Sequence, residues 1–188
     1  MARPRKVSDE ELMAACGRAI GRFGPGFTLA QVAGEAGVAV GTVAGRFGSK
    51  RNMLLAMMTM SADGTVPWLR ETAAGLAPLD AIVRVMLVSG EGVADPATTS
   101  NHLGQLGVDL ADPELRAGFA HARAGVREVL TELFAAAALP GAPPPAQAAR
   151  IIAAMAHGAL MDWSLDPSGE FDDILRADLD AVLNAWRI

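Results

Sequence analysis

Apolar residues recur along this chain at spacings of three and four, and no strand-like alternation bounded by hairpin turns accompanies them. Leu12, Ala15, Cys16, Ala19, Ile20 and Phe23 form the first such face, which is the rhythm of an amphipathic helix. Ser8 followed by Glu11 makes a capping box at its start, where the two side chains satisfy open N–H groups of the first turn. Gly24-Pro25-Gly26 ends it. Thr28 is a good N-cap for a short second helix whose inward residues are Val32, Ala33 and Ala36. Gly37 breaks that helix, because glycine takes a left-handed turn without penalty. A third short helix is expected from about Ala39 to Phe47. Ser49 then caps a fourth, carrying Met53, Leu54, Met57, Met58 and Met60 and running to about Ser61 or Asp63. Pro67, Pro78, Pro96, Pro113 and the stretch 140–145 divide the remainder into helices near 68–76, 79–93, 97–108, 113–138, 145–165 and 170–187. The pattern predicts an all-α chain of about nine helices.

Composition agrees with that picture. Of 188 residues, 51% are hydrophobic and 20% charged, and Tyr is absent, a balance that suits a soluble globular protein. The lone cysteine, Cys16, excludes an internal disulfide and cannot build a zinc site by itself. Its apolar neighbours make it a small core residue. The start Met-Ala-Arg-Pro-Arg-Lys lacks the apolar stretch of a signal peptide. The longest apolar run, Ile151 to Met161, contains His157 and is too short to span a bilayer. The expectation is a cytoplasmic protein that does not enter membranes.

Charge changes the picture more. Residues 1–60 hold Arg3, Arg5, Lys6, Arg18, Arg22, Arg46, Lys50 and Arg51 against Asp9, Glu10, Glu11 and Glu35, a net of +4. The whole chain carries −5, so residues 61–188 carry −9. A basic head on an acidic body points to a polyanion-binding head and a solubilising remainder.

Thr28 to Phe47 has the layout of a helix-turn-helix. Two short helices that cross closely need a small residue at the contact, which Ala33 supplies, and a left-handed residue four positions later, which Gly37 supplies. Val32, Ala36, Val38, Val43 and Phe47 fall where such a unit buries apolar surface against the first helix. The second helix of the pair is then presented to the major groove with its N-terminal residues at the base edges.

Here the chain resembles the TetR family of transcriptional regulators. The resemblance rests on Phe27-Thr28-Leu29-Ala30-Gln31-Val32-Ala33-Gly34-Glu35-Ala36-Gly37-Val38, then Gly41-Thr42-Val43, then Arg46-Phe47-Gly48-Ser49-Lys50 leading into Leu54-Leu55. Looser traits extend it: Asp112-Pro113-Glu114-Leu115 opening a long helix, and Met161 to Pro167 before the last one. It implies a homodimer with one DNA-reading head per subunit and an effector cavity in the body. On this division residues 1–49 are a three-helix DNA-binding domain and 50–188 an effector-binding and dimerisation domain. The implied function is a homodimeric repressor released from a pseudo-palindromic operator by a small apolar effector. The alternative is an all-α small-molecule binding or sequestering protein with weakened operator binding.

The chain departs from the family pattern in its reading helix. The usual polar pair at its start is replaced by Ala39 and Val40, and the aromatic and polar positions that follow by Ala44 and Gly45. Direct base readout is therefore expected mainly from Thr42 and Arg46, with Gly41 alongside and apolar contact from Val40 or Ala44 to thymine methyls. Phosphate contacts are expected from Thr28, Lys50, Arg51 and the arm Arg3, Arg5 and Lys6, an arm that alternatively enters the minor groove.

In the body, Ala146, Ala149, Ala153, Ala156 and Leu160 alternate spacings of three and four, the rhythm of a helix–helix seam. With Leu175, Leu179, Val182 and Trp186 of the last helix they form the expected dimer interface, the residues at issue being Ala149, Ala153, Ala156, Leu160, Leu175, Leu179, Val182 and Trp186. Met57, Met58, Met86, His102, Leu103, Leu106, Phe119 and Met155 are the candidate effector residues, because polarizable methionines suit variable apolar ligands. His102, Gln105, His121 and Arg123 offer polar anchors. The fourth helix, joining Lys50 to Met57 and Met58, is the expected lever between effector and DNA.

Catalysis finds no support. His102, His121 and His157 are not at metal-ligand spacing, and neither a phosphate-binding glycine motif after a strand nor a nucleophile elbow is present. Asp172-Asp173 point apart on a helix and read as surface. No metal or cofactor is expected.

Overall fold

The computed structural model describes residues 7–89 and 95–188. Among them are nine α-helices and no strand: α1 Asp9–Phe23, α2 Leu29–Ala36, α3 Val40–Phe47, α4 Lys50–Ala73, α5 Pro78–Ser89, α6 Pro96–Asp109, α7 Pro113–Ala137, α8 Pro145–Leu165 and α9 Phe171–Ala185. Among the described residues no helix is long and apolar enough to cross a membrane.

The boundaries have local causes. Ser8 accepts from the Glu11 amide at 3.1 Å while the Glu11 carboxylate accepts from the Ser8 amide at 2.9 Å, so the capping box at α1 is complete. Thr28 and Gln31 form a second box at α2. Ser49 accepts from the Asn52 amide at 3.1 Å and starts α4. Asp112 accepts from the amides of Glu114 and Leu115 and starts α7.

One expected break does not occur. The pattern predicts two helices on either side of Pro67, whereas α4 continues through it. A proline inside a helix forfeits one backbone bond and costs roughly 3 kcal/mol. Leu69 is fully buried and Val66 and Ala73 pack on the same core, and such burial is worth about 1.5–3 kcal/mol for one large side chain. Tertiary packing therefore outweighs the local penalty.

The chain forms two compact units. The first holds the chain up to Met60 together with Ala97–Gly118, and the second holds Ser61–Pro96 with Phe119–Ile188. The expected boundary after residue 49 thus gives way to a division in which α6 and the first turn of α7 join the N-terminal helices. The reason lies on α1. A Cβ built at Gly21 would stand 2.8 Å from Thr98 Cγ2 and 3.2 Å from His102 Nε2, so only glycine lets α6 come this close. Asn101 Nδ2 also donates to the Gly21 carbonyl at 2.8 Å.

The core of the first unit is Leu12, Ala15, Cys16, Ala19, Ile20, Phe27, Val32, Val43 and Met53. Cys16 is completely enclosed, and burial pushes its thiol up to about 12. The second unit packs Leu69, Ile82, Val85, Leu130, Ile152, Leu175 and Leu179 into one cluster. Within it Arg70 of α4 donates to Glu128 at 2.7 Å and Glu132 at 2.6 Å on α7.

Candidate functional site

Helices α2 and α3 make the expected helix-turn-helix. Gly37 adopts φ 66° and ψ 35°, the left-handed conformation the turn requires, and Val38 N–H closes it on the Ala33 carbonyl at 3.0 Å. Val43 is fully buried and anchors α3 inward. The opposite face carries Val40, Gly41, Thr42 and Gly45, all exposed, with Ala44 half-buried beside them. Val40 alone leaves 48% of its surface open, a large hydrophobic group with no intramolecular use for that exposure. Ala39 lends no side chain to the N-terminal amides of α3. On this outward face Thr42 is the side chain with uncommitted hydrogen-bonding capacity.

The cations around it are arranged differently from the expectation. Arg46 donates to Asp9 at 2.7 Å and to the Val7 carbonyl at 3.0 Å. Lys50 is half-buried, donates to the Pro25 carbonyl at 2.5 Å and stands 4.0 Å over the Phe27 ring. Burial lowers its pKa. Arg51 reaches Asp112 at 2.6 Å and also Glu114, clasping α4 to the start of α7. That contact, with the Leu115 and Glu114 amides, holds the Asp112 carboxyl down to about 2. Arg18 and Arg22 share Glu35, and Arg116 donates to the Leu110 carbonyl. Lys50 and Arg51 are thus turned into the unit's own structure rather than held out for phosphate, and Arg46 is tied to the start of α1. Thr28 is exposed, with its hydroxyl in the capping box. Arg3, Arg5 and Lys6 lie outside the described residues.

Charge balance follows the same lines. The described part of the first unit holds six cations, Arg18, Arg22, Arg46, Lys50, Arg51 and Arg116. Against them stand seven anions, Asp9, Glu10, Glu11, Glu35, Asp109, Asp112 and Glu114, a net of −1. The +4 of residues 1–60 is therefore offset by α6 and the start of α7.

In the second unit the alanine seam faces inward. Ala149, Ala153, Ala156, Leu175 and Leu179 are buried within the subunit, which corrects their placement at a dimer interface: they have no surface left for a second copy. Val182 and Trp186 are half-buried against the same core, Trp186 edge-on to Phe134 at 5.8 Å. Four of these residues, Ala153, Ala156, Leu160 and Leu175, instead line a cavity of about 230 Å³.

Met86, Phe119, Val126, Phe171, Thr65 and Ser89 complete most of its wall. Met86 and Phe119 were expected there. Met58 instead lies against Gly118 and His102 against Gly21, both inside the first unit. Met57, Leu103 and Leu106 also belong to that unit and Met155 packs on the core, so none of these lines the cavity. Of the expected polar anchors only Arg123 does, and it is joined by His157. Arg123 Nη1 stands 2.6 Å from His157 Nε2 and 3.1 Å from Nδ1. Burial and the neighbouring Arg127 lower the arginine's pKa, while burial and Arg123 lower that of the imidazole. A neutral His157 accepts the bond, and no carboxylate pairs with Arg123 among the described residues. Among the described residues no Asp or Glu lines the cavity.

No family profile and no curated protein matches the sequence. Solved structures do. A transcriptional regulator from Rhodococcus sp. Rha1 aligns over 97% of this chain and 99% of its own, at TM-score 0.72 and 20% identity. A TetR transcriptional regulator from Streptomyces coelicolor aligns over 96% and 98%, at TM-score 0.69 and 21% identity. A protein from Saccharomonospora viridis, described as a transcriptional regulator and solved in complex with choline, aligns over 94% and 95% at TM-score 0.75 and 16% identity. Nine helices, the left-handed turn at Gly37 and near-complete structural overlap together give this chain the fold of the TetR-family transcriptional regulators.

Proposed function

We propose that the protein is a homodimeric DNA-binding transcriptional repressor, released from a pseudo-palindromic operator when a small, largely apolar effector enters the cavity of the second unit. The observation that carries the reading is α3: anchored by buried Val43, it turns Val40, Gly41 and Thr42 outward with no intramolecular contact that accounts for their exposure. Two such helices related by a two-fold axis address half-sites about 34 Å apart, or a multiple of that.

The dimer face is assigned to the outer side of α8. Ala154, Gly158, Met161 and Leu165 are exposed there at four- and three-residue spacing, Met161 at 53% and Leu165 at 79%. Small residues permit close helix approach and the two large ones supply apolar area to bury. This replaces the buried seam.

Effector and DNA are linked through helices common to both units. Helix α4 contributes Lys50 and Arg51 to the first unit and Thr65 to the cavity wall, while α7 contributes Leu115 to the first and Phe119 and Arg123 to the cavity. A ligand that shifts α7 acts on a helix whose start is clasped to α4 by Arg51. Such coupling is typically about 1–3 kcal/mol.

The sequestering alternative is supported by the pairing of each described cation of the first unit with a group of that same unit. Titration of the full chain against labelled duplex over a range of salt separates the two readings. A regulator binds one selected sequence far above random duplex and is displaced by cavity ligands, whereas a sequestering protein binds ligands and shows no sequence preference.

A further inference from the structure

A part-buried arginine at a largely apolar cavity, with no acid partner among the described residues, is less well compensated than one that is ion-paired. Among the described residues the charge is met by the imidazole of His157. Met86, Phe119, Val126, Leu160, Phe171 and Leu175 supply the apolar wall. Arg123 supplies the positive end, with His157 against it and Arg127 near enough to add to the unfavourable positive potential. We infer that the effector is an amphipathic carboxylate: a compact apolar body in the cavity, with its carboxylate paired to Arg123 and displacing or bridging to His157. This inference rests on the second unit being the effector domain and names the class of ligand it takes.

The physical reasons are complementary. A planar guanidinium matches a carboxylate through parallel N–H···O bonds, and such bonds are stronger than neutral ones. The anion would replace a neutral partner with a charged one, so binding improves on the bond Arg123 makes in the unliganded state. A cavity of about 230 Å³ is below the roughly 300–1,000 Å³ that suits drug-sized ligands, so the body is small. A quaternary ammonium such as the choline bound by the Saccharomonospora neighbour would meet Arg123 and find no carboxylate among the described residues of the wall.

Three probes of equal chain length test this on the full-length protein: octanoate, octanol and octyltrimethylammonium. Binding is followed by calorimetry and by the fluorescence of Trp163, which is buried with its ring centroid 5.8 Å from that of Phe171. Octanoate is expected to bind about tenfold or more tightly than octanol, and the ammonium weakest. Arg123→Gln should erase the preference for octanoate while leaving octanol affinity within about twofold, and Arg123→Lys should restore part of it. Retained octanol binding shows that the variant still forms the cavity. Equal affinity for octanoate and octanol, no octanoate binding, or an octanoate preference that survives Arg123→Gln would overturn the assignment. The effector reading is judged separately: Arg123-dependent octanoate binding that leaves operator affinity unchanged defeats that reading and not this one.

Discussion

The two units differ in the placement of one cation, since Arg70 of the second is paired with Glu128 and Glu132 much as the cations of the first are paired. In the first, each described cation is spent on a neighbour: Arg18 and Arg22 on Glu35, Arg46 on Asp9, Lys50 on Pro25 and Phe27, Arg51 on Asp112 and Glu114, Arg116 on Leu110. In the second, Arg123 is half-buried at a cavity and meets no acid among the described residues. The described cations of the first unit are paired within it, while a body rich in acidic residues keeps Arg123 at a cavity with an imidazole as its described partner. Local charge counts along the chain therefore mislead about which cations are available. For DNA affinity, the burden shifts to Arg3, Arg5 and Lys6, to surface pairs weak enough to open, and to the shape of the exposed α3 face.

The largest expected effect follows from that shift. Replacing Arg3, Arg5 and Lys6 together by alanine removes three candidate phosphate contacts, so operator affinity should fall roughly a hundredfold and the slope of log K against log salt should flatten by about 2.7. An unchanged salt slope would show that the head's paired cations carry the contacts after all. Thr42→Ala comes next. It should lower the preference for the selected operator over a mutated one by about five- to tenfold while leaving binding to random duplex unaltered. Competition with both duplexes measures it.

Glu35→Gln sharpens the comparison from the other side. It removes the carboxylate shared by Arg18 and Arg22, whose side chains are 54% and 71% exposed, and leaves Arg18 only its bond to the residue 35 carbonyl at 2.9 Å, so DNA affinity should rise about two- to fivefold with a steeper salt dependence. The cost to folding should stay near or below about 1 kcal/mol in urea denaturation, because exposed pairs contribute little. The smallest effect concerns Cys16. With its thiol raised to about 12 by burial, native protein should resist iodoacetamide at neutral pH and react only when unfolded. Rapid labelling of the folded chain would contradict the enclosed core of the head.

Much of the fold was legible because its signals are local. Ser8 with Glu11, Thr28, Gly37, Ser49 and the Asp112-Pro113 start all mark helix ends by chemistry that acts within four residues, and α8 begins and ends where the pattern placed it. Pro67 misled because the opposing contribution, burial of Leu69, is tertiary. The alanine stripe on α8 misled for a related reason. Both sides of that helix carry small residues at seam spacing, Ala149, Ala153 and Ala156 on one and Ala154 and Gly158 on the other, and periodicity alone does not say which side is covered by the chain itself.

The site was legible in part. The turn at Gly37 and the outward position of Val40, Gly41 and Thr42 follow from the motif. The engagement of Lys50 and Arg51 does not, since Pro25 lies 25 residues from Lys50, and Asp112 and Glu114 lie more than sixty from Arg51. Likewise a lone histidine without metal-ligand spacing reads as structural. What makes His157 informative is Arg123, 34 residues distant and brought against it only by the packing of α7 on α8.

The central claim is that α3 reads duplex DNA on behalf of a symmetric pair of heads. Selection of bound genomic fragments by the full-length protein, followed by footprinting of the selected site, tests it most directly. Two protected, inverted half-sites separated by about one helical turn or a multiple of it are predicted, with protection lost on Thr42→Ala at lower protein concentration. Uniform protection of any duplex, or a single half-site with no inverted partner, would contradict it.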